Sequence, residues 1–143
     1  MDPDDFISLA GKLAATANSD EAVYRTAVSR AYYGAFHLAA SLLGELGFSA
    51  PRTANAHVFV QHHLNGSGQS SACIAASLLS DLHAARNRAD YQLDRDTAGT
   101  HAVALLCVET AHEIRTALLE CSQPPMREQV RKGIAAYVKR ISG

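Results

Sequence analysis

Between His83 and Tyr91 the chain reads His-Ala-Ala-Arg-Asn-Arg-Ala-Asp-Tyr, its densest run of groups able to bind an anion or move a proton. On a helix His83, Arg86, Asn87 and Asp90 share a face. Arg86 and Asp90 stand at i,i+4, a spacing that also suits a plain surface ion pair worth a few tenths of a kcal/mol. A second polar set, Thr26, Arg30, Tyr33, His37 and Ser41, forms a stripe along a proline-free stretch from Ser19 to Gly44. The rest of that wheel is apolar: Val28, Tyr32, Ala35, Ala39, Leu42, Leu43 and Leu46 form one arc, widened by Ala27, Ala31 and Leu38. Polar groups on a largely buried helix must be hydrogen-bonded. The stripe is therefore expected to meet the His83–Tyr91 strip or a second subunit, giving a homodimer with Arg30, Tyr33 and His37 at or beside the interface.

Other chemistries have less support. Glu109-Thr-Ala-His112 is the Glu-x-x-His unit of di-iron bundles, but such a site needs that unit twice with two further glutamates, and HExxH is absent. No metal and no cofactor is expected, and His57, His62 and His63 are read as solvent-facing. GxSxG, P-loop and GxGxxG patterns do not occur, which removes the usual nucleophile-elbow and nucleotide-cradling signatures. Cys73, Cys107 and Cys121 are odd in number and lack CxxC spacing, as expected of buried free thiols.

These residues must be positioned by helices. Hydrophobic residues make up 48% of the 143 and charged ones 19%, enough for one cored domain and too apolar for a disordered chain. A net charge of −1 leaves nucleic-acid binding to a local patch. The Met-Asp-Pro-Asp-Asp start has no signal-peptide pattern and no apolar run is long enough to span a bilayer, so a cytoplasmic protein without a membrane partner is expected.

Asp2 and Pro3 open a first helix, with Phe6, Leu9, Leu13 and Ala17 as its apolar repeat. The second ends near Gly44–Gly47. A third spans about Ala54–Leu64, with Ala56, Val58, Phe59 and Leu64 partly inside, and stops at Asn65-Gly-Ser-Gly68. The fourth, Ser70 to about Tyr91, carries Ile74, Ala75, Leu78, Leu79, Leu82, Ala85 and Ala89 on one face. The fifth, about Thr97–Cys121, is carried by Ala102, Leu105, Leu106, Ala111, Ile114, Ala117 and Leu118, and ends at Pro124-Pro125. The last, Pro125–Ile141, sets Val130, Ile134, Val138 and Ile141 against Arg127, Arg131, Lys132, Lys139 and Arg140. With no strand alternation, the expected architecture is an all-α, antiparallel up-and-down helical bundle over residues 1–123. Residues 124–143 add a basic amphipathic helix packed on the same domain.

Ser29-Arg-Ala-Tyr-Tyr-Gly-Ala-Phe-His37 followed by Arg86-Asn-Arg-Ala-Asp-Tyr91 resembles, in motif order and spacing, the HEPN superfamily. The likeness spans the first five helices, and is closest to the branch reading SRAYYAxFHAA and then an RxxADY-type segment. It implies a bundle dimerised through the second and fourth helices, with two copies of the fourth-helix motif facing across a cleft. Many members are metal-independent endoribonucleases, often toxins, using R-x4-6-H, whose arginine holds the phosphate and whose histidine moves protons. Others are non-catalytic partners of a minimal nucleotidyltransferase in two-component toxin–antitoxin systems. Here the window after Arg86 holds Tyr91, Gln92 and Leu93 instead of histidine. A tyrosine of ordinary pKa near 10 is a poor base at neutral pH. The resemblance thus implies a binding or partner module for RNA or a nucleotide. Asn87, Arg88, Arg30 and Tyr33 are the binding residues, and an Arg30–Asp90 ion pair joins the two helices. The alternative is an endoribonuclease using Arg86 with His83, His37 or Tyr91.

Overall fold

In a computed structural model describing residues 1–143, six α-helices and one 3-10 turn account for most of the chain. They are α1 (Asp4–Ala15), α2 (Glu21–Glu45), α3 (Ala56–Gly66), α4 (Ser70–Tyr91), α5 (His101–Ser122) and α6 (Met126–Ser142), with the 3-10 turn at Asp96–Gly99. There is no strand, and the architecture is an all-α helical bundle. The second helix is central, packing on α1, α4 and α5, while α3 lies on α4 and α6 rests on α3 and α5.

The apolar arc of α2 is buried from Val28 and Tyr32 to Leu43 and Leu46, with Leu38 at its margin half-buried, and its polar stripe is half-buried or exposed. Its C-terminus is closed by Gly47, whose φ of +99° is the left-handed geometry that glycine adopts without strain. The turn is completed by Phe48 N–H donating to Leu43 O at 2.8 Å. The opening of α1 also follows the sequence, with Asp2 Oδ1 accepting from the Asp4 N–H at 2.9 Å.

Elsewhere the inward face differs from expectation. The buried residues of α1 are Ile7, Ala10 and Ala14, whereas Leu9 is 43% exposed and Ala17 lies beyond the helix. At Gly34 α1 and α2 cross closely, with Ile7 and Phe6 filling the space that a Cβ there would take. Likewise α5 buries Ala104, Cys107 and Ala111 and leaves Leu105 and Leu106 outside. It starts at His101, capped by Thr100 Oγ1 rather than from Thr97. In α3, Val60 is buried and Val58 exposed. Cys107 and Cys121 are buried free thiols, both pushed up to about 11 by burial, while Cys73 is only partly covered.

One buried charge organises the end of α4. The Arg25 side chain, 9% exposed, donates through Nη1 to the carbonyls of Arg88 (3.2 Å), Ala89 (2.9 Å) and Gln92 (3.2 Å), and through Nη2 to Arg95 (2.7 Å). Nε and Nη2 also reach Glu21 Oε1 at 3.1 and 2.9 Å. The last carbonyls of a helix lack intrahelical partners and carry partial negative charge. A guanidinium supplied from α2 therefore both caps α4 and holds the following turn. Gly99 leaves the space for it, since a Cβ there would collide with Glu21 and Arg25.

Candidate functional site

The α2 stripe and the C-terminal half of α4 meet on one half-buried face. Arg86 is its centre, with a side chain 12% exposed. Its Nη2 donates to Tyr33 Oη at 2.6 Å and Tyr91 Oη at 3.4 Å, and its Nη1 donates to Asn87 Oδ1 at 3.0 Å. Its Nε lies 2.9 Å from Asp90 Oδ2, but the N–H is not aligned for a hydrogen bond, so this contact is Coulombic. Asp90 accepts its directional bond from Ser29 Oγ at 3.2 Å.

The expected Arg30–Asp90 ion pair does not form. Asp90 is neutralised by Arg86 one turn earlier on its own helix, and Arg30 reaches it only through Ser29 Oγ, to which Nη2 donates at 3.4 Å. The Arg30 guanidinium lies instead over the Phe6 and Tyr33 rings, 5.0 and 5.3 Å from their centroids. The Arg86 guanidinium likewise lies over two rings, Tyr33 at 5.0 Å and Tyr91 at 5.2 Å.

Because both tyrosine oxygens accept from Arg86, their hydroxyl protons remain free to donate, as does the amide nitrogen of Asn87. The guanidinium fork itself is largely committed within the protein. What the face offers an anion is a positive centre ringed by neutral donors, with Tyr91 71% exposed at its edge. Arg88 makes no hydrogen bond or ion pair in this group, and its charge acts on the thiol of Cys107, which it pulls down against the larger effect of burial.

The histidines fall into two places. His37 is exposed and stacks on Phe6 and Tyr33, with centroids 6.2 and 6.3 Å apart. His83 belongs to a cluster invisible in the motif: its ring lies 5.0 Å from Tyr32 and 4.8 Å from His57, the latter at 10° between planes. His57, expected in solvent, is half-buried and bonded through Nδ1 to Tyr32 Oη. Burial raises the Tyr32 phenol far above its usual range, so Tyr32 stays neutral beside His57. His63 is also buried, donating from Nδ1 to Phe59 O at 2.8 Å, and only His62 of that trio is exposed. The i,i+25 separation of Tyr32 and His57 gave no local signal of their pairing.

Both clustered imidazoles are held below the usual histidine range. For His57 burial is the largest cause, followed by His83, Arg86 and His37, and for His83 burial is followed by Arg86. The unfolded chain therefore binds more protons than the folded one between the lowered values and the ordinary value of about 6.5. Stability is expected to be complete above about pH 6.5 and to fall as the pH drops below it. His57→Gln, which keeps an acceptor for Tyr32 but does not titrate, should flatten the acid limb of melting temperature against pH. Parallel limbs for wild type and variant would show that His57 titrates as it does in the unfolded chain.

Searches among curated proteins and among solved structures gave no match. The model of the HEPN domain matches residues 13–121, which hold α2, α3, α4 and nearly all of α5 together with every residue of the Arg86 group. The helical bundle, the SRAYY segment on α2 and the RNRADY segment facing it on α4 agree with that match, and the chain belongs to the HEPN domain family.

Proposed function

We propose that this protein is a homodimeric HEPN module whose α2/α4 face binds a phosphate of RNA or of a nucleotide, and that it cleaves RNA slowly or not at all. The observation that carries the reading is Arg86 itself, a nearly buried guanidinium held by Tyr33, Asn87 and Tyr91, whose free hydroxyl and amide protons surround it. Orienting donors in advance lowers the cost of ordering them on binding. A two-fold pairing through α2 and α4 would set two such groups across one cleft and double the positive charge. Family membership supports a partner role as well, and a minimal nucleotidyltransferase is the partner class that fits it.

The test is direct binding of a fluorescent oligoribonucleotide at low salt, followed by anisotropy. Arg86→Ala should weaken binding at least tenfold, about 1.4 kcal/mol. Wild-type affinity should fall with rising salt, as phosphate contacts require. Equal affinity in wild type and Arg86→Ala would remove the reading. Light scattering at tens of micromolar should give the dimer mass, and a strictly monomeric mass would remove the composite cleft.

A second reading, slow metal-independent cleavage, is favoured by the neutral His83 imidazole near Arg86. It requires that His83→Ala abolish whatever cleavage the wild type shows.

A further inference from the structure

We infer that the corner between α1 and α2 is a second nucleotide subsite, a stacking place for the base next to the phosphate held at Arg86. This deepens, and rests on, the reading of the Arg86 face as a phosphate site. Rings and guanidinium groups alternate across three helices in the order Tyr91, Arg86, Tyr33, Arg30, Phe6. The spacings from guanidinium carbon to ring centroid are 5.2, 5.0, 5.3 and 5.0 Å. At the Phe6 end the row opens on a cleft of about 310 Å³ lined by Met1, Pro3, Phe6, His37 and Ser41. Phe6 lies before residue 13, where the family match begins, so this end of the row is contributed by sequence outside it.

Charge favours an anion along the row. Its one carboxylate, Asp90, is engaged by Arg86 and Ser29, and Arg30 has no carboxylate partner. Of the three acids at the start of α1, Asp4 Oδ1 accepts from Arg115 Nε at 2.9 Å and Asp2 Oδ1 accepts from the Asp4 N–H, while Asp5 is exposed and pairs with neither Arg30 nor Arg86. A guanidinium over a ring, free of carboxylate, is weakly hydrated and suited to phosphate. The cleft beyond it is lined by Phe6 and His37, which stack on each other with centroids 6.2 Å and planes 28° apart and so offer a base their stacked pair as one aromatic wall. Aromatic side chains accept any base by its π-face, and interleaved cations track the backbone that joins successive bases. Arg30 stands between the two places and shares the Tyr33 ring with Arg86.

The experiment compares adenosine monophosphate with the dinucleotide pApA by calorimetry. Stacking one further base should make pApA about 5- to 100-fold tighter. Phe6→Leu, which keeps bulk but removes the ring, should bring the ratio toward one, and Phe6→Tyr should restore it. Ser41→Trp, at an exposed position, should fill the cleft and give the same loss without altering α1. If neither nucleotide binds the wild type, the Arg86 reading fails and the subsite with it. If both bind and Arg86→Ala abolishes both, a ratio near one in the wild type, or one indifferent to Phe6→Leu and Ser41→Trp, overturns the subsite alone. A change of oligomeric mass in Phe6→Leu also overturns it, because the row would then be a protein interface.

Discussion

Replacing Arg25 by alanine is expected to lower stability by roughly 3 kcal/mol or more, since a buried group left without its partner costs about 1–3 kcal/mol and several are left at once. Four backbone carbonyls from three turns of chain converge on this one side chain, together with Glu21. Water entering the space would re-solvate some of them, which is why the expected loss is well below a sum over contacts. At this chain length the melting temperature should fall by about 10 °C. Arg25→Lys should recover only part of that, because one ammonium has three donors and no planar fork to span both Glu21 and the carbonyls. Thermal unfolding by circular dichroism decides it, and a midpoint within about 2 °C of wild type would show the contacts to be replaceable. The same variant should loosen the turn from Gln92 to Arg95, next to the residues that frame Arg86.

Arg25 also shows where sequence reading stops. It stands at i,i+4 from Glu21, the signature of an ordinary surface pair, while its decisive partners lie 63 to 70 residues away. By contrast the α2 stripe was fully legible, because a long helix buried on a wide arc prints its 3.6-residue period in bulky residues. On α1 the same reasoning turns Leu9 inward where Ile7, Ala10 and Ala14 are buried, and on α5 it holds for Ala111, Ile114, Ala117 and Leu118 but not for Ala102, Leu105 and Leu106. Ala10, Ala14 and Ala104 are fully buried where Leu9, Leu105 and Leu106 lie outside, so at those turns small side chains face inward and the apolar period of the leucines points the wrong way. The motif residues Arg86, Asn87, Asp90, Tyr91 and Tyr33 were named from sequence and do converge. Of the two pairings the sequence offers Asp90, the i,i+4 contact with Arg86 forms and the Arg30 pair does not, because Asp90 is satisfied within its own helix before Arg30 can reach it. His57 and Tyr32 were missed as a pair because each separately fits a bland role, one as a polar residue on a short helix and the other as core.

Tyr91→His is expected to turn a weak or inactive protein into a measurable metal-independent ribonuclease. Position 91 lies in the window after Arg86 where the family's nuclease pattern places its histidine, and at 71% exposure the substitution costs the fold little. The hydroxyl of Tyr91 already lies within 3.4 Å of Arg86 Nη2, so a ring at this position is beside the group proposed to hold the phosphate. A phenol of ordinary pKa near 10 takes up almost no proton from a ribose hydroxyl at neutral pH, whereas an imidazole near 6.5 both accepts and returns one. In a dimer the two copies would supply base and acid from opposite sides of the cleft. Positioned proton transfer contributes about 10²- to 10⁴-fold in rate, and a gain in that range is the expected result with a labelled oligoribonucleotide in the presence of chelator. Tyr91→Phe should show no gain, which separates the imidazole from mere loss of the hydroxyl. Tyr91→His combined with Arg86→Ala should lose the gain, because the phosphate is no longer held. If Tyr91→His binds RNA as tightly as wild type and still cleaves no faster, the Arg86 cleft does not bring a ribose within reach of position 91. Phosphate binding would then be its whole chemistry.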